Sequence, residues 1–220
     1  MSSPSLLFDQ YRTAEDDQPI LIFDHNYNSQ VIVIQPLFEE RNFLRSTIVS
    51  AVRTLAQHGI GSSIPDLPGT GDSPSSDENN RLSSWREAMV DLVAQTKART
   101  GRTPHIAAFR GGALVDDVPA ASHWRFAPVT GLELLKPLRR AAQLSRSVDP
   151  QNLGGYTLTP AMIAELESAA PCAQSGPFRE LPAGGSGTPV WRRSEPDRDQ
   201  SLVDLISDDL IRWIQACDAS

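Results

Sequence analysis

Apolar positions fall in short blocks that alternate between strand-like runs and helical spacing. Residues 19–24, PILIFD, read as an edge strand, with a turn at 26–29. Residues 31–35, VIVIQ, form a continuous β-branched run, as suits a strand buried on both faces of a parallel sheet. From Arg45 to His58 the residues Ile48, Val49, Val52, Leu55 and Ala56 recur at helical spacing, and Gly59 supplies the stop. A short strand over 60–64 follows and ends at Pro65-Asp66. Strand, helix and strand in that order make a βαβ crossover.

The polar stretch LPGTGDSPSSDENN over 67–80 is a loop by composition. Ser83 or Ser84 can cap the next helix, with Glu87 three residues after Ser84, and Met89, Leu92 and Val93 share one face. HIAA at 105–108 predicts a third parallel strand and FRGG at 109–112 a sharp turn. A weak helix over 113–121 is interrupted by Pro119, and 125–128 reads as a fourth parallel strand. Further on, 132–144 is helical with Pro137 as a kink or break, and 159–169 is a short helix capped by Thr159 with Pro160 at its first position. Residues 183–188 are glycine-rich, with Gly184, Gly185 and Gly187 read as a flexible loop, and 202–214 form a terminal helix. Residues 1–17 are expected to be loosely ordered, within a single domain over 1–220.

Composition narrows the function classes. The 220-residue chain carries a formal net charge of −7, which argues against nucleic acid as a partner, since that needs a basic footprint. Two cysteines, Cys172 and Cys217, and no zinc-like spacing predict reduced thiols and no metal site. No apolar run is long enough for a membrane span, and the first residues lack the pattern of a secretory signal. The expectation is a soluble cytoplasmic protein without a cofactor. The four tryptophans are dispersed and read as core.

Chemistry concentrates in the strand–turn–helix segment AFRGG, 108–112. A G-x-S-x-G turn at this place lifts the nucleophile of an α/β-hydrolase above its sheet. Here Arg110 holds the central position, and a guanidinium is no nucleophile. The late histidine of that catalytic set is missing too, because the four histidines are His25, His58, His105 and His123. A serine without a base is weak, so ordinary serine-hydrolase chemistry is not expected.

Several blocks resemble the second of the two exosortase A system-associated hydrolase families of the α/β-hydrolase superfamily. QPLFEERNFLR at 35–45 resembles its P-P-F-x-E-E-x-N-x-x-R segment, and DLPGTGDS at 66–73 its D-L-x-G-x-G-D-S. WREAMVDL at 85–92 is loosely similar to its W-x-x-D-L region. FRGGAL at 109–114 is similar to its G-L-R-L-G-A-L elbow, which carries arginine as well. APVTG at 127–131, GYTLTPA at 155–161 and PVW at 189–191 complete the series in the same order. Ala108 departs from the first elbow glycine, and 170–181 is too short for a further strand and helix, which leaves the seventh strand open. The resemblance implies an α/β-hydrolase fold, mostly parallel with helices on both faces, and a setting beside exopolysaccharide and protein-sorting functions. The word hydrolase is there a fold label.

Arg110 and the backbone N–H groups at Gly111 suit an anionic ligand or a peptide carboxylate, with Asn42 and Arg45 within reach. Equally, Arg110 can pair with Glu39, Glu40 or Asp66 and lock the sheet edge. Glu39, Glu40 and Asp66 are the candidates for activating water in an atypical ester hydrolase, with Arg110 stabilising the oxyanion. Adjacent carboxylates more often divide into one solvated and one salt-bridged group. A third reading is an interaction protein of an export or polysaccharide assembly, using an apolar surface near 170–191. Asp66, Asp72 and Ser73 around the glycine turn read as an Asp-stabilised turn, not a nucleotide loop.

Overall fold

The computed structural model describes residues 5–23, 27–76, 80–145, 151–183, 188–193, 195–197 and 199–220. The turn expected at 26–29 and the glycines 184, 185 and 187 lie wholly or partly outside them. Seven strands form one sheet. β1 (Leu6–Arg12) and β2 (Asp17–Phe23) are antiparallel to their neighbours. β3 (Ser29–Ile34), β4 (Ile60–Pro65), β5 (His105–Phe109), β6 (His123–Phe126) and β9 (Phe178–Leu181) run parallel. The spatial order is β1-β2-β4-β3-β5-β6-β9. A small hairpin, β7 (Asn152–Leu153) and β8 (Tyr156–Thr157), stands apart from the sheet.

The predicted β3–helix–β4 crossover is present, and its α1 (Glu40–Gln57) starts five residues before the expected Arg45. α2 (Leu82–Thr100) joins β4 to β5. α3 (Gly131–Ser145), the hairpin and α4 (Pro160–Ser168) lie between β6 and β9, and α5 (Gln200–Asp218) closes the fold. Strand side chains alternate between two cores. Ile32, Ile34, Ile106 and Ala108 pack with α2, α3 and α4, whereas Val31, Val33, Ala107 and Phe109 pack with α1 and α5.

Three expectations are corrected here, and the open question of the seventh strand is closed. Residues 19–24 do not make an edge strand: β2 is flanked on both sides, because β1 forms within the segment expected to be loose. The LLFDQYR run of β1 buries only Tyr11, so it lacks the apolar alternation that marks a strand. The seventh strand exists: β9 pairs in parallel with β6 although its FREL side chains are mostly exposed. No helix spans 113–121; one turn of 3-10 helix, Arg110–Leu114, follows β5 instead. α2 is capped by neither Ser83 nor Ser84. Glu165 of α4 accepts from the backbone N–H of Leu82 at 2.6 Å and of Ser83 at 3.3 Å, a tertiary cap that no local spacing encodes.

Pro137 does not break α3, since it sits on the exposed face, where water can take the carbonyl it strands. Thr159 caps α4 as expected, accepting from Met162 N–H at 3.1 Å. The start of α3 is pressed onto α4: a Cβ added at Gly131 would lie 2.0 Å from the Leu166 carbonyl oxygen.

Candidate functional site

The carboxyl ends of β3, β5 and β6 each lead into a non-glycine residue with left-handed backbone. Phe38 has φ 56°, Arg110 φ 53° and Ala127 φ 43°. Such conformations cost about 1–3 kcal/mol each and persist where surrounding contacts over-determine them. The tight bend after β5 also depends on Gly112, where a Cβ would meet the carbonyl oxygens of Gln35 at 2.6 Å and Ile34 at 2.8 Å. At Gly111 an added Cβ would meet Leu134 Cδ1 at 2.6 Å.

Arg110 stands at the tip of that bend, where the nucleophile of a serine hydrolase would be raised. All three of its guanidinium nitrogens donate a hydrogen bond. Nη2 donates to Glu40 Oε1 at 2.8 Å, Nε to Glu40 Oε2 at 3.1 Å, and Nη1 to the Ala127 carbonyl at 2.9 Å. Trp191 covers the other side, with the guanidinium carbon 4.2 Å from its ring centroid. The bidentate pair, the carbonyl and the indole face occupy three of the five guanidinium N–H donors and one of its faces. Of the partners expected for Arg110, the fold selects Glu40.

The remaining candidates separate. Glu39 is exposed and close enough to Tyr156 that its charge adds to the effect of burial in raising the phenol's pKa. Both Asp66 oxygens are used: Arg41 Nη2 donates to one at 2.5 Å and the Asp72 backbone N–H to the other at 3.0 Å. The Asp-stabilised turn is therefore present. Ser73 Oγ closes it by accepting from Gly69 N–H at 2.8 Å and donating to Gln18 at 2.6 Å. Asn42 faces a cavity. Arg45 lies elsewhere, on a depression of about 80 Å³ beside Phe8, Leu21 and Val49. Among the described residues, Asn42 and Arg45 line different depressions, and neither Arg110 nor Gly111 lines either of these two.

A cavity of about 310 Å³ opens at the carboxyl ends of β3 and β4 on the side of α2 and α4. Phe38, Trp85, Tyr156 and Met162 supply apolar wall, with Arg41 and Asn42 at its polar side. Phe38 is edge-on to Tyr156, with centroids 5.4 Å apart, and tilted against Trp85 at 6.3 Å. Trp85 is anchored by its N–H to the Pro68 carbonyl at 2.9 Å. Walls of this type with a few placed polar groups are usual for small-molecule sites. Arg41 and Tyr156 were not singled out from the sequence. Both lie in the QPLFEERNFLR and GYTLTPA blocks, and that was the available signal.

Among the described residues, the histidines lie far from this edge in the topology. His58 caps the end of α1, while His105 and His123 open β5 and β6 at the sheet's amino edge. His105 does join a Ser–His–Asp set, with Nδ1 2.8 Å from Ser122 Oγ and Nε2 3.2 Å from Asp218. Ser122 is only 1% exposed, and the set links α5 to β5 and the start of β6. Cys172 offers no activated thiol: burial chiefly, then Asp117, raises its pKa.

No family model matches the chain, and no curated protein sequence matches it. Solved structures do. An esterase from Pyrococcus furiosus superposes with a TM-score of 0.62 at 10% identity, covering 97% of this chain and 93% of its own. Est1E of Butyrivibrio proteoclasticus, solved with ferulic acid bound, gives 0.59 at 12% identity, over 96% of this chain and 100% of its own. A lidless α/β serine hydrolase from Xanthomonas campestris gives 0.56 at 13%, over 98% and 95%. The protein has the α/β-hydrolase fold, with an arginine at the apex of the turn that follows β5.

Proposed function

We propose that this chain is a noncatalytic relative of the α/β-hydrolases that binds a small, mainly apolar organic molecule in the cavity beside the locked turn. The observation that carries the reading is the Arg110–Glu40 pair. It places an engaged cation where a nucleophile would act and occupies the carboxylate best placed to activate water. Asp66 is likewise spent on Arg41. Ester hydrolysis through Glu40 or Asp66 would first have to break an ion pair, at a cost of several kcal/mol.

Charge also bears on the ligand. Arg110 and Arg41 are each matched by a carboxylate, so a carboxylate or phosphate ligand would compete with Glu40 or Asp66. An uncharged molecule with an aromatic or aliphatic body meets no such competition, and Asn42 and the neutral Tyr156 phenol can hydrogen-bond its polar end. The ordered sequence blocks support an exopolysaccharide or exosortase-associated setting for this binding.

The test has two arms. With p-nitrophenyl acetate, butyrate and octanoate, release of nitrophenol should not exceed the buffer rate. Turnover lost in Glu39→Gln, Glu40→Gln or Asp66→Asn would establish an atypical hydrolase instead. In saturation-transfer NMR, benzyl alcohol should bind more strongly than benzoate, and Met162→Trp should remove the signal by filling the cavity. Preferential benzoate binding, lost in Arg110→Ala, would restore an anion site at the turn.

A further inference from the structure

The outer edge of β1 is the second place where the chain's surface is unfinished. Leu6, Leu7 and Phe8 are exposed, and Phe8, at 79%, is the most exposed large hydrophobic residue described. A long edge strand with apolar side chains and free backbone groups is a template for pairing.

Which backbone groups are free follows from hydrogen bonds at one end of the strand. Arg12 N–H donates to Gln95 Oε1 at 2.9 Å and the Arg12 carbonyl accepts from Gln95 Nε2 at 2.7 Å. Neither group is therefore directed at β2. Antiparallel pairing alternates, so Gln10, Phe8 and Leu6 also point their N–H and C=O groups outward. The Gln10 N–H agrees, since Asp9 Oδ1 accepts it at 2.9 Å. Gln95 closes the edge at Arg12 and Asp9 shields one donor at Gln10. The open stretch is centred on Phe8, whose outward N–H and C=O have no partner among the described residues.

A strand open about a single residue that offers both a donor and an acceptor is self-complementary. We propose that β1 pairs antiparallel with β1 of a second copy of this chain, with the two-fold axis at Phe8. Phe8 then exchanges both hydrogen bonds with its symmetry mate, and Leu6 lies opposite Gln10 of the partner. Leu7 lies opposite the partner's Asp9 as a close, non-hydrogen-bonded pair. Two seven-stranded sheets become one, and the Phe8 rings meet on the face where Leu21 and Val49 line the small depression. This inference does not depend on the ligand reading.

Light scattering after gel filtration tests it. The wild-type chain should run at twice the monomer mass at tens of micromolar. Phe8→Lys should run as a monomer with an unchanged circular dichroism spectrum, because this side chain has almost no intramolecular packing to lose. Asp9→Ala should tighten the dimer at least threefold by freeing the Gln10 N–H. Register is read by mixing Leu7→Cys with Asp9→Cys, both made with Cys172 and Cys217 changed to Ser. Opposed Cα atoms about 4.5 Å apart permit a disulfide. The mixture should give a covalent dimer on a non-reducing gel, and neither variant alone should match it. A wild-type monomer throughout, a dimer indifferent to Phe8→Lys, or crosslinking without that pair preference would overturn the proposal.

Discussion

Arg110 is held by geometry that a shorter or uncharged side chain cannot reproduce. Arg110→Ala leaves Glu40 partly buried without its cation and the Ala127 carbonyl without its donor. The expected cost is about 3 kcal/mol in chemical denaturation. Arg110→Ala with Glu40→Ala should recover part of it, giving a coupling energy of about 1–3 kcal/mol. A coupling near zero would mean that the pair is incidental. At this scale the sequence exposed the anomaly, an arginine flanked by small residues after a buried strand, but not its partner. Glu39 and Glu40 are adjacent, and only the rotation of the first turn of α1 decides that Glu40 faces Arg110 while Glu39 faces water. Arg41 and Asp66 are 25 residues apart, and their 2.5 Å contact has no local signature.

Elements behave according to how much of their information is local. β3, β4, β5, α1 and α4 were readable because apolar periodicity and capping residues lie within the segment. β1 and β9 were not, because edge strands show their side chains to solvent and are recruited by a neighbour's backbone. The same dependence on neighbours appears where α4 supports the helices around it. Glu165→Gln should keep the shape but lose the charged cap on α2, lowering stability by about 1 kcal/mol. Gly131→Ala should be worse, about 2–3 kcal/mol, because its Cβ would collide with backbone and not with a movable side chain. Thermal melts of the two variants would rank them, and equal melting points would contradict the close packing of α3 on α4.

For the whole molecule, the amino edge of the sheet sets a pH dependence. Burial lowers the pKa of His105, although Asp218 opposes it, and burial likewise lowers that of His123, whose Nδ1 is buried without a partner. Both are thus easier to protonate in the unfolded chain, where the value is about 6.5. Above that pH their contribution to stability is complete. As pH falls below it the unfolded state gains protons first, and stability declines until the folded rings also titrate. Urea midpoints should therefore drop between pH 7.5 and 5, and His105→Asn with His123→Asn should flatten the slope. Asp116 works the other way at lower pH: burial raises its pKa against the pull of Arg125, so the folded state takes up that proton first. An unchanged midpoint across the histidine range would refute the assignment.

The two cores differ in when they can close. The layer against α2, α3 and α4 draws on residues up to Leu166, whereas the opposite layer needs Ile206, Leu210 and Ile214 of α5 packed on α1. During synthesis on the ribosome, the side of α1 that α5 covers is therefore exposed through most of elongation. That interval, more than the finished protein, is when a chaperone would find something to hold.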